Sequence, residues 1–127
     1  MNNWLDNNWN DILQKYPESR PLLSYFLDFF GSITGVSSFV DTLKSAVYVE
    51  GDSNPVSYYI FLDEVLDNEY VVSAVEFYFN GELDGIVPIN IFVEVLEVIA
   101  LVYIEYYPKD RDEIINILPK LRQAYSI

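Results

Sequence analysis

A chain of 127 residues with 20 acidic and seven basic side chains carries a net charge of −13, so it repels nucleic-acid phosphates and anionic lipid head groups and attracts basic proteins and cations. It has no cysteine and no histidine, which excludes disulfides, thiolate and imidazole catalysis, and the usual zinc and iron–sulfur ligand sets. Hydrophobic residues make up 51% of it and aromatics 17%, enough for a core in spite of the charge, and the length is that of one domain spanning residues 1–127.

The first helix is predicted over residues 3–16, where Leu5, Trp9, Ile12, Leu13 and Tyr16 recur at helical spacing until Pro17 stops the pattern. Met1 to Asp6 has no basic leader and no unbroken apolar run, so it does not read as a secretory signal. Pro21 suits the start of a second helix entered at Ser19 or Arg20. Leu22, Leu23, Phe26, Phe29 and Phe30 give that helix its apolar face, and Gly31 suits its end. The chain then turns from Ser32 to Val36. Ser38 and Asp41 have capping-box spacing, and Val40, Leu43 and Val47 follow at helical intervals. Whether a strand begins near Tyr48 is open. Gly51 to Pro55 reads as a loop.

The period then changes to two. Val56 to Leu62 and Tyr70 to Phe79 are rich in β-formers, joined by an acidic, turn-like linker from Asp63 to Glu69. Alternation in the second run sets Val71, Ser73, Val75, Phe77 and Phe79 on one side. Tyr70, Val72, Ala74, Glu76 and Tyr78 fall on the other. Asn80-Gly81 is a strong hairpin signal, with Glu82 to Val87 as the returning strand.

Pro88 opens a long helix through Tyr106, with Ile89, Phe92, Val93, Leu96, Ala100, Tyr103 and Tyr107 as its main core stripe. Val95, Val98, Val102 and Tyr106 widen that stripe, so the helix packs on more than one side. Glu94, Glu97 and Glu105 interrupt the apolar run, which falls short of the ~20 residues a membrane span needs. After Pro108 a last helix begins near Asp110 or Asp112 with Ile114, Ile115, Ile117, Leu118 and Leu121, and Pro119 is expected to kink or interrupt it. The fold class is therefore α+β, with N-terminal helices, a central antiparallel sheet of three or four strands, and two C-terminal helices.

Charge is not spread evenly. No basic residue lies between Lys44 and Lys109, an interval that holds 12 of the acids. Concentrating one sign of charge costs stability through self-repulsion, and solubility alone does not require it. A partner-binding face is the reading this supports, weighed against a merely solvated one. Its candidate residues are Asp63, Glu64, Asp67, Glu69, Tyr70, Glu76, Tyr78, Glu82 and Asp84. Tyrosine among acids fits an interface, because it adds area and a hydrogen bond at low entropic cost, although strands favour tyrosine in any case. Asp63 with Glu64, or Glu82 with Asp84, are carboxylate pairs of the type hydrolases use, but nothing else in the chain supports an enzyme. Asp52 and Asn54 lack the spacing of a calcium loop. No cofactor or metal is implied.

The run Val75-Glu76-Phe77-Tyr78-Phe79, its hairpin, Ile86-Val87, a helix with Phe92, Leu96 and Tyr103, then Pro108 and a final helix from Asp110 to Leu121 form a pattern of spacing. Over about residues 70–122 it resembles the immunity proteins of bacterial contact-dependent growth inhibition, the CdiI type that neutralises ribonuclease toxins. Pro88 departs from that pattern where a serine-type cap is more usual, and Asn90-Ile91 where acids are. The resemblance implies an antitoxin that binds the basic nuclease domain of a cognate bacterial toxin in the cytoplasm, with no nucleic-acid or membrane partner. A phage-type acidic mimic of nucleic acid, an anti-restriction or anti-CRISPR inhibitor, is the alternative with the same charge logic. Oligomeric state is not readable from the chain.

Overall fold

The computed structural model describes residues 4–31, 39–53, 57–66 and 69–127. The fold is α+β, with helices at both ends of the chain and an antiparallel sheet between them. Helix α1 (Trp4–Lys15) buries Leu5 and Ile12, and Pro17 stops it by opening a short 3-10 turn through Ser19. The buried Ser19 hydroxyl donates to the Tyr16 carbonyl at 2.6 Å, which holds the corner into the next helix. Helix α2 (Arg20–Gly31) takes Pro21 in its first turn, where a missing N–H costs no helical bond. Its face of Leu22, Leu23 and Phe26 is fully buried. The turn expected from Ser32 to Val36 and the Ser38 cap lie outside the described residues. Helix α3 (Phe39–Val47) buries Phe39, Val40, Leu43 and Ala46 and runs into a turn at Tyr48, with no strand there.

The sheet has the order β1-β2-β3-β4 (β1 Asp52–Ser53, β2 Ser57–Leu66, β3 Glu69–Phe79, β4 Glu82–Pro88). Two expectations are corrected here. The described part of the segment from Asp63 to Glu69 is strand rather than linker: β2 continues through Leu66, and Glu64 pairs with Val71 and Val65 with Tyr70 beyond a register shift at Leu62/Asp63, while Asp67 and Asn68 lie outside the described residues. Backbone pairing with β3 outweighs the turn-like composition, as tertiary context commonly does for strands. The expected loop from Gly51 to Pro55 contains the two residues of β1, which pair with Tyr58 and Tyr59. Gly51 permits that approach, because a Cβ there would lie 2.2 Å from the Tyr59 carbonyl oxygen. Asn54 and Pro55 lie outside the described residues.

Asn80 and Gly81 both have positive φ, 50° and 81°, the backbone of a two-residue hairpin turn matched to strand twist. Pro88 ends β4 and stands at the cap of α4 (Ile89–Tyr106). This helix is the hub of the core. It packs on the sheet, on α1 and on the last helix, α5 (Arg111–Ala124). Phe92, Val93, Val95, Leu96, Ile99 and Ala100 are fully buried; Ile99 falls outside the expected stripe. Tyr107, expected in that stripe, is 42% exposed just past the helix end, where it stacks on Tyr103 at 4.6 Å. Helix α5 is continuous through Pro119, and Ile114, Ile117, Leu118 and Leu121 are its buried side. The Tyr125 hydroxyl, just beyond it, donates to the Ala46 carbonyl and so fastens the end of α5 to α3. No helix among the described residues is long and apolar enough to cross a membrane.

Candidate sheet-face binding site

Helices α2 and α4 pack on one face of the sheet. On that inner face Tyr59, Val75, Phe77 and Val87 are buried, and Tyr59 and Phe77 meet the rings of Tyr25 and Phe92. Val71 and Phe79, expected in this core with Val75 and Phe77, are 40% and 46% exposed. Phe79 lies at the end of β3, and Val71 lies beyond the first bulge, where Ser73 is the extra residue and the alternation is reversed, so that Val71 pairs with Glu64 rather than with an inner-face residue of β2.

Side-chain alternation places Glu76 and Tyr78 on the outer face. Cross-strand partners share a face. Glu76 lies opposite Ile60 on β2 and Ile86 on β4, and Tyr78 lies opposite Tyr58 and Leu83. Tyr58, Ile60, Leu83 and Ile86 are all more than a third exposed, so this face is uncovered. The rings of Tyr58 and Tyr78 stack at 4.8 Å and 10°. Desolvation first, then the neighbouring Glu76 charge and Tyr58, push the Tyr78 phenol above its ordinary value and keep it protonated.

A second bulge explains how this face is assembled. From the hairpin turn, Phe79 pairs with Glu82 and Tyr78 with Leu83. Phe77 then pairs with Gly85 rather than Asp84, so Asp84 is the extra residue. Without that bulge Ile86 would stand opposite Val75 on the inner face. With it, Ile86 joins Glu76 outside, Val87 enters the core, and Asp84 swings toward α2. There Arg20 grips both Asp84 carboxylate oxygens, at 3.2 and 3.3 Å, and its backbone carbonyl at 3.0 Å. Gly85 is the close-approach point beneath, where a Cβ would meet the Pro21 ring at 2.5 Å.

The other candidate residues are dispersed. Asp63 is exposed on β2 opposite the bulge in β3, and Glu82 is exposed at the hairpin. Glu64 lies near the end of β2, and Glu69 and Tyr70 near the start of β3, with side chains outside the described residues, as is Asp67. Asp84 borders a shallow cavity of about 330 Å³ with Arg20, Ser24, Leu27, Asp28 and Phe79. Burial and the Asp84 charge push the Asp28 carboxyl up. On α4, Glu97 is held by two bonds from Arg122 of α5. The structure thus joins Glu76 and Tyr78 to Tyr58, Ile60, Leu83 and Ile86, which sequence reasoning had not assigned to the site. Alternation along β2 carries the signal for Tyr58 and Ile60. Leu83 and Ile86 share a face only through the bulge, which no local pattern announces.

No family model, curated protein or solved structure matches this chain.

Proposed function

We propose that this chain is an immunity protein, which binds and neutralises the basic nuclease domain of a cognate bacterial toxin in the cytoplasm. The observation that carries the reading is the uncovered outer face of the sheet. It is aromatic and aliphatic, centred on Glu76, and set in a stretch of chain with 12 acids and no basic residue. Interfaces combine such an apolar, tyrosine-bearing centre with a charged rim. A nuclease must carry basic surface to hold phosphates, so an acidic partner complements it. Bound there, the chain would cover the toxin's active site or hold an adjacent surface so that substrate is excluded. The acid excess would steer encounter, with association near ~10⁸ M⁻¹s⁻¹ at low salt and slowing as salt rises.

A nucleic-acid mimic would draw on the same acid excess. It would need carboxylates tracking phosphates along an exposed face, whereas the described outer face sets one carboxylate among apolar side chains. This favours a folded protein partner. The test is co-expression with the C-terminal domain of any toxin-like open reading frame found beside the gene, reading growth and complex formation. Rescue of growth with a stable complex is the expected result. Turnover of a nucleic acid or glycoside by this chain alone, lost on changing a carboxylate pair, would overturn the reading.

A further inference from the structure

The outer face contains a feature more specific than general negative charge. Glu76 stands between two isoleucines on the flanking strands, Ile60 and Ile86, and beside a stacked tyrosine pair. Apolar neighbours exclude water and strengthen whatever charge interaction Glu76 makes. A carboxylate offers about four lone-pair sites, enough for a two-pronged donor even beside the Tyr78 hydroxyl. Tyrosine rings adjoining the carboxylate suit a flat, weakly hydrated cation that can lie against an aromatic face. An ammonium group, compact and strongly hydrated, gains less from the same surroundings.

We propose that this face is a receptor for a single arginine projecting from the basic partner. Its guanidinium pairs with Glu76 beside the Tyr58–Tyr78 stack, and its aliphatic stem is covered by Ile60 and Ile86. Charge complementarity selects the occupant: the chain carries −13, and Glu76 is the one carboxylate at the centre of the described outer face. The inference rests on the immunity reading for its biology but makes a separate chemical claim about arginine against lysine.

The experiment titrates isotope-labelled protein with N-acetyl-arginine amide, following backbone amide shifts, with the lysine and citrulline analogues in parallel. Arginine is expected to give saturable shifts centred on Tyr58, Ile60, Glu76, Tyr78 and Ile86. Lysine should bind about threefold more weakly or worse, and the uncharged citrulline should leave the face unmoved. Glu76→Gln, whose own spectrum reports that it is folded, should abolish the localised response, and Tyr58→Ala should weaken it while leaving the carboxylate in place. Shifts scattered over all exposed acids, equal for lysine and arginine, or unchanged in Glu76→Gln would overturn the proposal. A toxin that binds Glu76→Gln with full affinity would also overturn it while leaving the immunity reading standing. Absence of any toxin partner would sink that reading and leave the arginine titration to be judged on its own result.

Discussion

The two faces of the sheet are made from the same strands and the same residue classes, yet they are built for different ends. Tyr59 is 1% exposed on the inner face, locked against Tyr25, Phe77 and Phe92; its neighbour Tyr58 is 38% exposed on the outer face and stacks on Tyr78. One side is closed by two helices. The other presents rings and isoleucines to solvent around a carboxylate. Exposed apolar groups of this kind are not a stability device, since they gain burial only when something covers them. The comparison separates residues that hold the fold from residues left available by it.

The largest contrast should come from truncating either side of β3. Phe77→Ala is expected to cost about 3–5 kcal/mol of folding stability through the cavity it leaves, whereas Tyr78→Ala should stay within about 1 kcal/mol. Denaturant midpoints measure both, and equal losses would show that the outer face is structural after all. Next, Glu76→Lys should remove about 2–5 kcal/mol of partner affinity with a nearly unchanged melting temperature. Calorimetric titration against the proposed toxin partner checks it. A change at Asp112, on the terminal helix, that hurts binding more would move the interface off the sheet.

Gly85→Ala probes the seam between the two regions. The added methyl meets the Pro21 ring, so a loss of about 1–3 kcal/mol is expected, readable as a lower thermal midpoint.

Alkaline pH acts on the buried side. Burial first, then the bond to Asp110, pushes the Tyr103 phenol well up, and burial does the same to Tyr125. The folded state then holds protons that the unfolded chain releases from about pH 10. Stability from these two groups is full below that pH and falls as pH rises through it, by at most about 1.4 kcal/mol per pH unit for each. Tyr103→Phe should flatten the decline, measured as denaturant stability against pH. The smallest effect is assigned to the Arg20–Asp84 pair, which is partly exposed. Asp84→Asn should cost no more than about 1 kcal/mol and leave arginine-amide binding unchanged.

Much of the architecture was readable from the chain, and the reason is local chemistry. Pro17, Pro88 and Pro108 mark helix boundaries, Asn80-Gly81 fixes a hairpin, and period-two alternation puts Glu76 and Tyr78 opposite Val75 and Phe77. What escaped depends on distant pairing. The acids from Asp63 onward look like a turn until β3 is laid beside them, and Asp84 looks like one more surface charge until the bulge aims it at Arg20. Charge counting located the acid-rich interval but not its organisation, because Arg20 and Arg122 return from the terminal helices to occupy Asp84 and Glu97. The carboxylate at the centre of the described outer face is the one that alternation singled out.

The brevity of β1 has a consequence for how copies of this chain treat one another. Pairing two residues with Tyr58 and Tyr59, it leaves the same side of β2 from Ile60 onward without a strand neighbour among the described residues. An open edge of this kind is a template for polymerisation by strand addition. Here the edge strand carries Asp63 and Glu64 in sequence. An approaching copy would bring the same acids against themselves and be turned away, while a cationic segment would meet no such barrier. The acids that would attract a cationic partner would thus also set copies of this chain apart.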